Sequence, residues 1–197
     1  MNDKTGILIL AAGNSSRLGK PKQLLQFNGK SLLFHVAEQA LEISKAVVVV
    51  TGSNGIKIEN EINGLEVLIA ENPNWEEGMG VSLNIGLKQL LTVFQDMENC
   101  IISVCDQPFI EASVFSELIQ KQQQSQKAIV AATYSKTLGT PVLFTKKYFP
   151  ALLGLSGNEG AKKLLLKFKE DVAEIAFEKG AIDIDTVADY EQLTQIK

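Results

Sequence analysis

A short apolar segment near the start of the chain leads directly into a loop of small and basic residues. The segment Thr5–Ala12 has the continuous apolar character of a buried strand, and the loop Gly13–Lys22 follows without a break. Glycine lets backbone N–H groups approach an anion closely, and basic side chains neutralise its charge. The segment therefore predicts a strand that ends in a phosphate-binding loop. The alternative is an ordinary turn with exposed basic residues, because a glycine-rich loop alone is a weak signal.

The loop follows neither the P-loop pattern nor the dinucleotide-binding pattern. A P-loop ends in Gly-Lys followed by Ser or Thr, but Pro21 follows Gly19 and Lys20 in this chain. The dinucleotide fingerprint needs a second glycine two residues after Gly13, where Ser15 stands. A phosphate-binding loop here is therefore of another kind.

Strand and helix patterns alternate along the chain. Besides Thr5–Ala12, the predicted strands are Ala46–Thr51, Leu65–Ala70, Cys100–Cys105, Ala128–Thr133 and Val172–Phe177, the last at an edge. Helical spacing of apolar residues predicts helices over Ser31–Ile43, Val81–Phe94, Ile110–Gln124 and Val187–Gln195. The segment Ser135–Phe144, with Gly139-Thr140-Pro141 as its turn, is expected to form a small excursion. The alternation predicts a three-layer α/β/α, Rossmann-like fold around a mostly parallel sheet.

Composition narrows the class of protein. The chain has 197 residues, 45% of them apolar and 21% charged, so we expect one globular domain over residues 1–197. A net charge of −4 argues against a large nucleic-acid-binding surface, and no stretch approaches the roughly 18 apolar residues of a membrane span. We therefore expect a cytoplasmic protein that binds neither nucleic acid nor membrane. One histidine, His35, excludes most histidine-based zinc sites and catalytic triads.

Asp106 is the carboxylate with the clearest chemical meaning. It follows the predicted strand Cys100–Cys105, and ligands of parallel α/β sheets bind beyond the carboxyl ends of the strands. That rule brings Asp106 and the loop Gly13–Lys22 into one crevice. An acid at this place suits Mg²⁺, which takes one or two carboxylates together with substrate phosphates. The alternative is an aspartate that caps the helix Ile110–Gln124.

A second pair of carboxylates lies near the end of the chain. Asp183 and Asp185 follow the strand Val172–Phe177, and alternation places both on one face while Ile184 points inward. Asp185 or Thr186 is also expected to cap the helix that follows.

Four short motifs resemble one known family. Leu10-Ala11-Ala12-Gly13, Arg17-Leu18-Gly19, Lys22-Gln23-Leu24-Leu25 and Cys105-Asp106-Gln107-Pro108 are similar to those of the molybdenum cofactor cytidylyl- and guanylyltransferases. The resemblance extends from Ile7 to Tyr190, and it implies a fold of the nucleotide-diphospho-sugar transferase type.

The resemblance also implies roles for individual residues. Catalysis would depend on Arg17, Lys22 and Asp106, and Mg²⁺ would be held by Asp106 and Asp183, with Asp185 as the alternative second ligand. The implied nucleotide-binding residues are Leu10, Ala11, Ala12, Gly13, Arg17, Lys22, Gly78, Ser82 and Asp106. Trp75 is left outside this set as a packing residue, and the segment 157–161 would face the acceptor.

The reaction that the resemblance implies is transfer of CMP from CTP to the phosphate of molybdopterin, with release of pyrophosphate. Ala12 favours CTP, because the guanylyl branch tends to carry glycine there. Three alternatives remain open: a GTP donor, another phosphate acceptor such as a sugar phosphate, and an accessory protein that carries the cofactor to a molybdenum hydroxylase apoenzyme.

Overall fold

The computed structural model describes residues 4–16 and 18–195 of the chain. Its strands are β1 Thr5–Leu10, β2 Gln26–Phe27, β3 Lys30–Ser31, β4 Val47–Thr51, β5 Leu68–Glu71, β6 Asn99–Val104, β7 Ile129–Tyr134, β8 Thr137–Thr145 and β9 Val172–Ala176. Its α-helices are α1 Leu32–Leu41, α2 Gly55–Glu61, α3 Met79–Val93, α4 Ala112–Ser125, α5 Phe149–Leu153, α6 Lys162–Lys167 and α7 Val187–Gln195. Every strand and helix predicted from the sequence is present, with ends that differ by a few residues.

Seven of the strands form one central sheet in the order β5-β4-β1-β6-β8-β7-β9. The neighbours from β5 to β6 run parallel, and β9 runs parallel to β7 at the far edge. Only β8 runs antiparallel to its neighbours, β6 and β7. The predicted three-layer α/β/α fold with a mostly parallel sheet is confirmed.

The expectation that Ser135–Phe144 forms a small excursion is wrong. Most of it belongs to β8, which lies inside the sheet and buries Val142, Leu143 and Phe144 completely or nearly so. The register between β7 and β8 shifts so that Ala131 pairs with Val142 and Ala132 with Gly139. Thr140 and Pro141 occupy the resulting bulge, where a proline removes no hydrogen bond from the ladder. A turn-like sequence therefore lies inside a strand.

The helices cover both faces of the sheet because each buries one apolar stripe. On one face, Leu83 and Leu87 of α3 pack into the same cluster as Leu8 of β1. Gly86 permits this approach, since a Cβ there would overlap the side chains of Leu8 and Val50. Helices α1 and α4 cover the other face in a second cluster. Within residues 4–16 and 18–195, no helix is long and apolar enough to cross a membrane.

A third, smaller cluster joins the loop after β1 to the C-terminal segment. Leu18 and Leu25 from the loop region pack with Leu32 at the start of α1 and with Ile184 and Leu193 near the C-terminus. All five are 5% exposed or less, so this cluster is as well buried as the main core. It places the loop and the segment 183–185 side by side, and Ile184 points inward as predicted.

Candidate active site

The loop after β1 is held in shape by a buried glutamine. The Nε2 of Gln23 donates hydrogen bonds to the carbonyl oxygens of Ala11 at 2.7 Å and Gly13 at 2.8 Å, and the residue has no exposed surface. Ser15 adds a second tie, because its Oγ accepts a hydrogen bond from the backbone N–H of Lys22 at 3.0 Å. Arg17 lies outside the described residues, so its proposed role stays a prediction.

Gln23 was not identified as a site residue from the sequence. Its position in the motif Lys22-Gln23-Leu24-Leu25 was visible, but nothing in the pattern shows that a polar side chain there is buried. The structural signal is a buried amide whose two donors are both used on the loop backbone.

A cavity of about 310 Å³ opens at the carboxyl ends of β1 and β6. The predicted nucleotide-binding residues that the structure describes all line it: Leu10, Ala11, Ala12, Gly13, Lys22, Gly78, Ser82 and Asp106. The lining also includes Gln23, Trp75, Met79, Val104, Cys105 and Asn158. The crevice expected from the order of parallel strands therefore exists, and it brings the separate motifs together.

Two glycine-containing loops close one side of this cavity. Gly78 has a φ of +114°, and a Cβ there would overlap the backbone of Gly157. The backbone N–H of Gly80 donates to the carbonyl oxygen of Gly157 at 2.9 Å. This contact brings Asn158 to the cavity. On the same side, Ser82 is buried, and its hydroxyl oxygen accepts a hydrogen bond from the Nδ2 of Asn72 at 2.9 Å.

Trp75 lines the cavity as well as packing against the core cluster behind it. Its side chain lies close to Gly52, since a Cβ at Gly52 would lie 2.8 Å from the Cβ of Trp75 and 2.6 Å from the carbonyl oxygen of Ala12. The sequence interpretation as a packing residue was therefore incomplete, because the same side chain also contributes to the cavity wall.

Lys22 lies between two carboxylates at the centre of the site. Its Nζ forms ion pairs with Asp106 and with the Oδ1 of Asp185, the second at 3.0 Å. Only 18% of the Lys22 side chain and 15% of the Asp106 side chain are exposed. Burial alone would lower the pKa of Lys22, but the charge of Asp106 and hydrogen bonds to Asp106 and Asp185 raise it above its ordinary value. Lys22 therefore carries its positive charge at neutral pH.

Asp183 lies close enough to Lys22, Asp106 and Asp185 for their charges to affect the pKa of its carboxyl group. Partial burial and the negative charges of Asp106 and Asp185 raise the pKa of Asp183 above its ordinary value. Its side chain is exposed and does not line the cavity, whereas Asp185 lines a further space of about 170 Å³ beside the loop residues 13–16 and Lys22. Whether Asp183 or Asp185 is a metal ligand stays a prediction, but Asp185 is the one that contacts Lys22.

The start of α7 shows whether Asp185 or Thr186 caps this helix. The Oγ1 of Thr186 accepts a hydrogen bond from the backbone N–H of Asp189 at 3.2 Å, and the Oδ2 of Asp189 accepts one from the N–H of Thr186 at 2.7 Å. This reciprocal pair is a capping box with Thr186 as the N-cap. The side chain of Asp185 is therefore directed to Lys22 rather than to the helix.

The residues present fit a divalent cation only together with a substrate. In the described part of the chain, no three His, Cys, Asp or Glu side chains are grouped as a metal site would require. Asp106 and Asp185 supply two carboxylates around one position. That number is what Mg²⁺ uses when phosphate oxygens complete its coordination.

A second, more apolar cavity of about 260 Å³ adjoins the first and shares Leu10, Met79 and Val104 with it. Its other walls come mainly from β8, from the segment 160–162 and from Tyr134. Gln107 links this region to the Asp106 loop, because its Nε2 donates to the carbonyl oxygen of Thr140 at 3.1 Å.

Comparison with known proteins agrees with this architecture. Residues 7–172 match the family model of the MobA-like NTP transferase domain. The chain is 29% identical to nicotine blue oxidoreductase of Paenarthrobacter nicotinovorans and 24% identical to molybdenum cofactor cytidylyltransferase of Escherichia coli strain K12, in each case over 93% of this chain and 92% of the relative. A solved homologue of Mycobacterium tuberculosis Rv0371c, from Mycobacterium sp. strain JC1, superposes over 100% of both chains with 25% identity and a TM-score of 0.83. Because the family match spans most of the chain, this protein belongs to the MobA-like NTP transferase family of nucleotidyltransferases.

Proposed function

We propose that the protein transfers CMP from CTP to the phosphate of a molybdopterin-type acceptor and releases pyrophosphate. The observation that carries the proposal is the cavity in which Lys22 and Asp106 meet, directly beside the loop that follows β1. The likeness to the cytidylyltransferase of Escherichia coli supports the choice of donor and acceptor. Ala12 in the cavity wall also favours CTP, by the resemblance described above.

On the donor side, the base would lie near Ala11, Ala12 and Ser82, and the triphosphate would follow the loop 13–22. The ammonium of Lys22 would act as a point charge near the α-phosphate, and Arg17 would bind the β- and γ-phosphates through its planar guanidinium. Mg²⁺, held by Asp106 and a second carboxylate, would supply charge neutralisation for the phosphate oxygens when bound. Catalysis would then consist of positioning and electrostatic stabilisation.

The transfer step needs no general base. An oxygen of the acceptor phosphate attacks the α-phosphorus, a new P–O bond forms, and the bond to the leaving pyrophosphate breaks. An acceptor phosphate is already ionised near neutral pH, so no proton has to be removed from it. The composition of the cavity is consistent with this, because no histidine is among the described residues that line it.

The adjoining apolar cavity supports a ring-bearing acceptor over a sugar phosphate. The hydroxyl groups of a sugar each need a hydrogen-bond partner, and an unpaired buried hydroxyl costs roughly 1–3 kcal/mol. The walls of this cavity are mainly apolar, with Leu83, Ile102 and Leu165 among them, while Lys162 supplies a cation for a phosphate. A flat ring system with one phosphate therefore suits this surface better.

The experiment that tests the proposal measures pyrophosphate. The purified protein is incubated with CTP or GTP, Mg²⁺ and either molybdopterin or a sugar 1-phosphate, and the product is identified by mass. We expect pyrophosphate and a cytidylylated product from CTP and molybdopterin. If only the sugar 1-phosphate gives a product, the acceptor is a sugar phosphate and not molybdopterin. Tight molybdopterin binding without pyrophosphate release would favour the role of a cofactor carrier.

A further inference from the structure

The ammonium of Lys22 occupies the place between Asp106 and Asp185. We propose that Lys22 acts as an internal substitute for the metal: its ammonium neutralises the carboxylates until a nucleoside triphosphate draws it away, so that metal and nucleotide bind together. This inference rests on the proposed metal ligand Asp106 and concerns the order of binding at that site.

The first argument is that ammonium and metal compete for the same oxygens. Lys22 contacts one oxygen of Asp106 and one of Asp185; the contact with Asp106 is largely shielded from water, while 35% of the Asp185 side chain is exposed. A divalent cation held by the same two carboxylates would lie within a few ångströms of the ammonium. Two positive charges that close repel each other strongly where little water screens them. The lysine must therefore leave before a metal is held firmly.

The second argument is replacement of one cation by another. With Lys22 in place, its ammonium supplies one positive charge to the carboxylates of Asp106 and Asp185. When the ammonium turns to a phosphate, a divalent cation can take its place beside these carboxylates and supply a larger positive charge. The triphosphate thus supplies a new partner for the lysine and oxygen ligands for the metal in the same event.

The third argument is that Lys22 can turn without moving the backbone. Its N–H is tied to the Oγ of Ser15, and it begins a short 3₁₀ turn over Lys22–Leu24. Its side chain borders both the cavity of about 310 Å³ and the space of about 170 Å³ beside the loop. Rotation about its side-chain bonds is enough to exchange a carboxylate for a phosphate on either side.

The consequence is positive coupling between metal and nucleotide. Coupling between two ligands is reciprocal, so a triphosphate that removes the lysine raises the affinity for the metal, and the metal raises the affinity for the triphosphate. Metal alone should bind poorly, because it meets an ammonium already in position.

Direct binding of Mn²⁺ tests this, since Mn²⁺ is a divalent cation with a similar preference for oxygen ligands and its free form has an EPR signal. Titrations are made with wild type, Lys22→Met and Lys20→Met, with and without a CTP analogue that has a methylene group between the α- and β-phosphorus. Lys20→Met is the matched control: it removes the same charge from the same loop, but the Nζ of Lys20 lies 4.9 Å from the centre of the Tyr190 ring.

For wild type we expect the analogue to tighten Mn²⁺ binding about tenfold or more, within the usual range of coupling between sites. Lys22→Met should bind Mn²⁺ alone about tenfold more tightly than wild type does and should lose most of the coupling, whereas Lys20→Met should bind Mn²⁺ alone as wild type does. Lys22→Gln serves as a second variant with a neutral side chain if the methionine variant does not fold.

If wild type and the Lys22 variants bind Mn²⁺ equally well without nucleotide, this inference is wrong, and the proposed function is unaffected. The same would follow if Lys20→Met tightened Mn²⁺ binding as much as Lys22→Met, because the effect would then be one of general charge. Full Mn²⁺ binding by Asp106→Asn in the presence of the analogue would instead contradict the proposed metal ligand.

Discussion

Replacing Gln23 by methionine should loosen the loop that follows β1 and destabilise the fold. The change removes hydrogen bonds to the carbonyl oxygens of Ala11 and Gly13; among the described side chains, only the hydroxyl of Ser53, 3.5 Å from the carbonyl oxygen of Gly13, would still contact them. It also removes the Oε1 of Gln23, a buried atom that has no partner among the described residues, and this gain offsets part of the loss. At about 1 kcal/mol for each hydrogen bond, plus the cost of unpaired carbonyls, the net loss is about 2 kcal/mol.

Urea denaturation and thermal unfolding measure this loss, and for a chain of this length 2 kcal/mol corresponds to a Tm lower by ~4–8 °C. Calorimetry should also show weaker CTP binding, because the same hydrogen bonds shape the cavity wall. Gln26→Met is the matched control, since Gln26 is exposed and its side chain lies on the short strand β2. If Gln23→Met and Gln26→Met unfold at the same urea concentration and bind CTP equally well, Gln23 does not hold the loop.

Three further predictions test the site. Asp106→Asn should fold normally but lose most pyrophosphate release; turnover equal to wild type would contradict its role with the metal. Asp185→Asn should weaken Mn²⁺ binding in the presence of nucleotide more than Asp183→Asn does, because Asp185 contacts Lys22 and Asp183 is exposed; EPR titration of both variants decides. Ala12→Gly should narrow the preference for CTP over GTP without reversing it, since one methyl group is worth only ~1–3 kcal/mol, and single-turnover competition measures the ratio.

The parts of the site that follow from strand order could be predicted from the sequence. Apolar runs identify β1 and β6, and parallel strands with helical connections place their carboxyl ends at one edge of the sheet. That reasoning was enough to bring Lys22 and Asp106 into one crevice. It needs only the type and order of the elements, which local patterns report well.

Features that depend on register or on contacts between distant segments could not be predicted. The bulge that holds Pro141 within β8 depends on how β7 pairs with that strand, and no local pattern reports such pairing. The roles of Gln23 and Trp75 depend on burial against the loop and the cavity. For the same reason, alternation put Asp183 and Asp185 on one face but could not tell which of them meets Lys22.

The two halves of the charged centre are positioned by apolar packing rather than by the ion pairs themselves. Leu18 and Leu25 on the loop side pack against Ile184, and the backbone N–H of Ile184 donates to the carbonyl oxygen of Asp106 at 3.1 Å. Because these contacts involve no charged side chain, loss of the Lys22 ammonium should leave the carboxylates close to their present positions. A site fixed in this way needs little rearrangement when a metal ion replaces the ammonium. Electrostatic stabilisation of a transition state depends on such preorganised groups. It also means that Mn²⁺ binding by Lys22→Met reports competition for the carboxylates and not collapse of the site.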